Sequence, residues 1–164
     1  MSFEIKTNSS LSKEEKYAVL IPQLKYLIED ENNFIANLAN ITSALKYSFE
    51  DFLWVGFYLR DEKKKDEIVL GPFQGRVACT RMALGKGVCG TSAQRKETII
   101  VEDVDKFPGH IVCDSLSRSE IVIPVIKNGE TAAVLDIDSD KLNNFDLTDK
   151  KFLEEIIKNI NHLF

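Results

Sequence analysis

The 164-residue chain is sparing with cysteine, which it uses three times, and it carries a single tryptophan and two histidines. No apolar run approaches the roughly 18 residues needed to span a bilayer. The opening "MSFEIKTNSSLSKEEK" has neither a basic segment nor an apolar one behind it, so it does not read as a secretory leader, and a cytoplasmic location is expected. Positive charge is also in deficit, with 21 Lys and Arg against 26 Asp and Glu, a net charge of −5. Phosphate backbones are therefore repelled overall, and no basic patch stands out beyond "KKK" at 63–65. That run lies between acids in "RDEKKKDE" and reads as a solvated hairpin tip. Neither a nucleic acid nor a membrane is an expected partner. Repeats, low-complexity tracts and linkers are missing too, so residues 1–164 are expected to form one domain.

The hydrophobic pattern supplies the elements. Tyr17, Leu20, Ile21, Leu24, Leu27 and Ile28 recur at helical spacing, opened by Ser12 with Glu15 three residues on, a capping-box pattern. Pro22 lies inside this run and predicts a kink or a break near Ile21. A second helix is expected over about 32–47. The texture then turns β-branched and aromatic: "FLWVGFYLR" and "EIVLGPFQG" read as a hairpin, and "RVACTRMAL" as a third strand. "VCGTSAQRK" is too short for more than two helical turns, and "TIIVEDV" is a strand. "FPGHIVCDSLSR" is irregular, and "SEIVIPVIKNGETAAVLDIDS" is a hairpin turning at Asn128-Gly129. "LTDKKFLEEIIKNINHLF" closes the described pattern as an amphipathic helix, with Thr148 as its expected N-cap. Helices flanking a strand meander make an α+β layout.

The cysteines raise the functional question. Cys79 and Cys89 stand nine apart in "GPFQGRVACTRMALGKGVCG", and Cys113 follows. An odd count in a reducing compartment argues against structural disulfides. Gly85-Lys86-Gly87-Val88-Cys89-Gly90 matches G-x-G-x-x-G, but a dinucleotide loop must open a full helix inside a βαβ unit, and hairpin signals lie on both sides. Cys79, Cys89 and Cys113 with His110 total a Cys₃His set suited to zinc. Structural zinc ligands, however, come in close pairs, and His110 with Cys113 is half a site. Strand alternation puts Asp136 and Asp138 of "LDIDSD" on one face, and the preceding hairpin strand brings Glu120 alongside. A strand end can simply solvate such acids. Three converging carboxylates also suit a ligand's ammonium group, and can hold one acid protonated near neutral pH. Trp54 and Tyr58, four apart, point the same way, either into the core or into a pocket.

Taken together, "GPFQGRVACTRMALGKGVCGTSAQ", "VEDVDKFPGHIVCDSLSRSEIVIPV" and "AVLDIDSD" resemble the free methionine-(R)-sulfoxide reductases, single GAF-domain enzymes. The resemblance runs from about Leu53 through the last helix. It implies a GAF-like α+β fold, with a mostly antiparallel sheet of about six strands and the N- and C-terminal helices packed on one side. It implies Cys113 as nucleophile, Cys79 as resolving thiol and Cys89 as a second or alternate partner. Trp54 and Tyr58 would flank the methyl-sulfoxide end of free L-methionine-(R)-sulfoxide, with Glu120, Asp136 and Asp138 around the rest. No metal or organic cofactor is implied. Thioredoxin would serve as external reductant, and a homodimer is common in the family. The chemistry fits these residue types: a sulfoxide is attacked by a thiolate only as its oxygen is protonated, and Glu120 is the expected acid. A GAF domain that senses a small ligand or oxidants without turning them over is the alternative.

Overall fold

Ser12 accepts a hydrogen bond from the Glu15 backbone N–H, and the Glu15 carboxylate accepts from the Ser12 N–H, closing the expected capping box. The helix it opens, α1, spans Lys13–Ile28 in a computed structural model that describes residues 4–164; the first three residues of the opening stretch lie outside it. The break expected at Pro22 does not occur. Pro22 and Ala18, whose carbonyl loses its i+4 donor, both lie on the exposed side, where water can satisfy that carbonyl while Leu20, Ile21 and Leu24 stay buried. Asn33 caps α2, Phe34–Ser48, through the Ala36 N–H.

Six strands follow: β1 Trp54–Arg60, β2 Glu67–Gln74, β3 Arg81–Ala83, β4 Ile99–Val101, β5 Ser119–Lys127 and β6 Glu130–Ser139. They form one sheet in the order β3-β2-β1-β6-β5-β4, and every pairing is antiparallel. The β5–β6 hairpin turns at Asn128 and Gly129, both at positive φ, as the Asn-Gly pair predicts. A nine-residue helix, α3 Gly87–Arg95, lies between β3 and β4, and α4 Leu147–Ile160 follows the sheet. The third strand is shorter than its sequence suggests: residues 76–80 leave the sheet as a loop carrying Cys79. Nor is Thr148 the cap of α4. Asp146 accepts from the Thr148 and Asp149 N–H groups, and Asp149 reciprocates to the Asp146 N–H at 2.9 Å. Thr148 has Lys151 three residues on, which has no acceptor to return the bond.

Alternation divides the strands cleanly. Val55, Phe57, Ile121, Ile123, Val125, Leu135 and Ile137 face one side and pack with α1, α2 and α4 in the larger core. Each such side chain, fully buried, contributes on the order of 1.5–3 kcal/mol. The N- and C-terminal helices thus share one side of the sheet, as expected. Trp54, Tyr58, Ile68, Val122 and Val134 face the other side, beneath α3, together with Glu120, Asp136 and Asp138.

Candidate active site

Register sets the order of the site. β1 pairs with β6 so that Trp54 lies opposite Asp138 and Gly56 opposite Asp136; β6 pairs with β5 so that Asp138 lies opposite Glu120. Trp54, Asp138 and Glu120 therefore form one row across three strands. Gly56, beside Trp54 and Tyr58 on the same strand, leaves a gap: a Cβ there would collide with the Trp54 indole ring and with Phe73 Cβ. The indole occupies this gap and stacks on Tyr58 (centroids 5.9 Å apart) and on Phe73 (5.4 Å).

The aromatic pair also holds the loop that carries Cys79. Trp54 Nε1 donates to the Arg76 carbonyl at 3.0 Å, and the Tyr58 hydroxyl to the Cys79 carbonyl at 3.1 Å. These bonds, with the disulfide below, are why residues 76–80 bend away from the sheet. Cys79 is disulfide-bonded to Cys113, with Cα atoms 5.3 Å apart across a sequence separation of 34. This is the pair the resemblance implies. Cys113 lines a pocket with Trp54, Tyr58, Cys89, Glu120, Asp136 and Asp138, so the expected residues other than Cys79 meet on one wall-to-wall surface. Cys79 backs Cys113 from the side.

Cys89, near the start of α3, is buried and free, with its Sγ 3.8 Å from Glu120 Oε1. The Cys₃His set considered from the sequence does not form, because two of its thiols are bonded to each other. Among the described residues the metal-capable donors that converge are instead Cys89, Glu120 and Asp136. The G-x-G-x-x-G match opens only α3, in a sheet with no parallel pair, which excludes the dinucleotide fold. Gly90 serves packing: a Cβ there would strike the Ala83 carbonyl oxygen.

The pocket is electrostatically tense. Burial, and then the charges of Asp136 and Asp138, push the Glu120 carboxyl well above its ordinary range. Burial and then Asp138 do the same to Asp136. Asp138, at the pocket lip, is pushed up to about 6 by burial, against a hydrogen bond from Ser117 Oγ at 2.5 Å. Burial, followed by Asp136 and Glu120, raises the Cys89 thiol. The cluster holds protons at a pH where solvated carboxylates have lost theirs. Asp136 Oδ1 is buried with no hydrogen-bond partner, so it is a vacant acceptor facing the pocket.

The sequence reading missed several neighbours. Ser117 is one; Asp114, nine-tenths buried and 3.6 Å from Arg76, is another. Met82, Val88 and Ile111 add apolar lining, as do Val77 and Ala78, and His110 also lines the pocket, its pKa lowered by burial. Ser117 sits four residues after Cys113 in "CDSLS", and only the β5–β6 pairing tells that its hydroxyl meets Asp138.

A six-stranded antiparallel sheet with flanking helices on one side and a pocket under a short helix on the other defines a GAF domain, and the GAF domain family model matches residues 38–162. The curated relatives narrow this. "GAF domain-containing protein A" of Dictyostelium discoideum is 59% identical over 147 residues, covering 90% of this chain and 91% of its own length. "Free methionine-R-sulfoxide reductase" of Saccharomyces cerevisiae is 45% identical over 159 residues, covering 94% and 88%. The solved free methionine-R-sulfoxide reductase of Neisseria meningitidis, in complex with its substrate, superposes with a TM-score of 0.93 at 44% identity, covering 98% of this chain and 96% of that one. The chain belongs to the free methionine-R-sulfoxide reductase family of GAF domains.

Proposed function

We propose that this protein reduces free L-methionine-(R)-sulfoxide to methionine with Cys113 as nucleophile. The observation that carries the proposal is the Cys79–Cys113 disulfide, closed beside a pocket lined by proton-holding carboxylates. The Cys113 thiolate attacks the sulfoxide sulfur while Glu120 gives its proton to the departing oxygen. Oxygen passes to Cys113 as a sulfenic acid, and the sulfide, methionine, leaves two electrons richer. Cys79 then attacks that sulfenic acid, water departs, and the disulfide forms. Cys113 lines the pocket and Cys79 does not, which supports this division of labour. Cys89, outside the bond, is left as an alternate partner.

Asp136 and Asp138 take the substrate's α-ammonium, for which the vacant Asp136 Oδ1 is a ready acceptor. A methionine inside a peptide lacks that charge, so the acids select the free amino acid. Trp54 and Tyr58 enclose the methyl-sulfoxide end. The ammonium in turn offsets negative charge on Asp136 and Asp138 beside the reacting thiol.

A protein dithiol of the thioredoxin kind resets the disulfide by exchange. A cytoplasmic location, where such reductants are maintained, goes with this reading. No described helix is long and apolar enough to cross a membrane. Residues 1–164 act as one GAF-like domain. Homodimerisation is supported by Ile35 and Tyr47, exposed on α2, and is checked by light scattering.

The deciding experiment is turnover of L-methionine-(R)-sulfoxide with dithiothreitol, with the (S) epimer as control. Methionine is expected from wild type and the (R) form alone, and none from Cys113→Ser. Wild type inert toward both epimers would overturn the reductase reading; activity retained in Cys113→Ser would overturn the nucleophile.

A further inference from the structure

The disulfide leaves Cys89 over, and its surroundings are unusual for a spare thiol. Its Sγ lies 3.8 Å from Glu120 Oε1, and a carboxylate oxygen of Asp136 joins them, all three donors lying within 4.8 Å of one another. The three residues are 2%, 5% and 6% exposed. They come from three separate elements, α3, β5 and β6, each anchored by its own packing.

The second observation is the vacant acceptor. Asp136 lines the pocket, and its Oδ1 is buried with no hydrogen-bond partner of its own, beside the Cys89 thiol and the Glu120 carboxyl. A buried unpaired oxygen is costly, and a cation is one of the few groups that could satisfy it together with a thiol and a second carboxylate. Tetrahedral zinc, with bonds of about 2.3 Å to sulfur and about 2.1 Å to oxygen, sets its donors roughly 3.4–3.6 Å apart. The Cys89–Glu120 pair, at 3.8 Å, is already close to that spacing, and donors at the 4.8 Å limit reach it by closing roughly 1.2–1.4 Å. A thiolate among them disfavours magnesium and calcium, which take oxygen donors. The fourth position opens on the pocket, as in sites that retain a water or exchange ligands.

We propose that Cys89, Glu120 and Asp136 form a three-donor site for a divalent cation of the zinc class, and that its occupancy closes the pocket to substrate. The thiol proton passes to solvent on binding, and nothing is oxidised or reduced. Because Cys89 lies outside the Cys79–Cys113 bond, the site exists in the oxidised protein as well as the reduced one. The blocking of substrate rests on the proposed reading of Asp136 and Glu120; the metal site itself does not.

The test uses the full chain with its disulfide closed, so that Cys79 and Cys113 cannot ligate. Zinc chloride is titrated by calorimetry, and cobalt(II) is followed by the near-ultraviolet absorption of thiolate-to-metal charge transfer. One equivalent and a thiolate band are expected, with affinity weakened by at least about tenfold in Cys89→Ser and in Asp136→Asn and the band lost in the first. A Cys79→Ser/Cys113→Ser double variant is expected to bind as wild type does. No binding to the oxidised protein, or binding and a band unchanged in Cys89→Ser, would overturn the site. Added methionine sulfoxide is expected to compete with zinc; a cation that binds with the expected variant pattern but is not displaced upholds the site and removes its blocking role.

Discussion

Asp149 and Asp136 are both almost fully buried aspartates, on opposite sides of the same sheet, and they are treated in opposite ways. Asp149, fully buried, receives the Lys13 ammonium at 2.5 Å, the Tyr17 hydroxyl at 2.9 Å and the Asp146 N–H at 2.9 Å. Its partners come from α1 and from its own cap, and they tie the first helix to the last. Asp136 has one oxygen without a partner and is pressed by burial and by Asp138 towards its neutral form. A carboxylate that holds structure together is satisfied in the free protein. One that awaits a ligand is not, and the imbalance is part of the binding energy.

The largest effect that would sharpen this contrast is on folding. Asp149→Ala removes the acceptor of Tyr17 and Lys13, and is expected to destabilise the protein by about 3–5 kcal/mol with turnover per folded molecule retained. Guanidinium unfolding measures it, and an unchanged midpoint would break the comparison. Next comes Asp136→Asn, which is expected to lower kcat/KM for the sulfoxide about a hundredfold, equivalent to ~2.7 kcal/mol, with stability unchanged or raised. Steady-state kinetics beside a melting curve separates the two terms; a loss of stability matching that of Asp149→Ala would erase the distinction.

Gly56→Ala should follow. The new methyl displaces the Trp54 ring, costing about 1–3 kcal/mol, raising KM and shifting the fluorescence of the single tryptophan. The smallest effect is on pH. The Asp138 carboxyl rises from 3.8 to about 6 on folding, so the unfolded chain gives up its proton first. Its stabilising contribution is complete below its unfolded value and is lost as pH rises through about 6. Wild type should therefore lose on the order of 1 kcal/mol relative to Asp138→Asn between about pH 4 and 7, allowing for screening at the pocket lip. Denaturant titrations at both pH values measure the difference, and parallel behaviour of the two proteins would contradict the raised carboxyl.

Local patterns in the chain were the legible part. The Ser12–Glu15 box, the Asn128-Gly129 turn and the alternation of Asp136 and Asp138 each depend on residues a few positions apart. Failures came where a distant partner decides. The solvent-facing placement of Pro22 is set by what α1 packs against, and strand β3 is cut short by the bonds Trp54 and Tyr58 make to residues 76 and 79. The pairing of Cys79 with Cys113 followed from family resemblance, since no spacing argument chooses between three thiols. Ser117 and Asp114 gave no signal, because what qualifies them is a neighbour across the sheet or across the pocket.

The Tyr17–Asp149 bond joins residues 132 positions apart. During synthesis at about 5–20 residues per second, α1 therefore emerges and waits on the order of ten seconds before its acceptor is made. Through that interval the apolar face of α1 lacks the α4 surface it finally packs against, and Tyr17 has Phe49, just after α2, to stack on long before Phe152 of α4 is made.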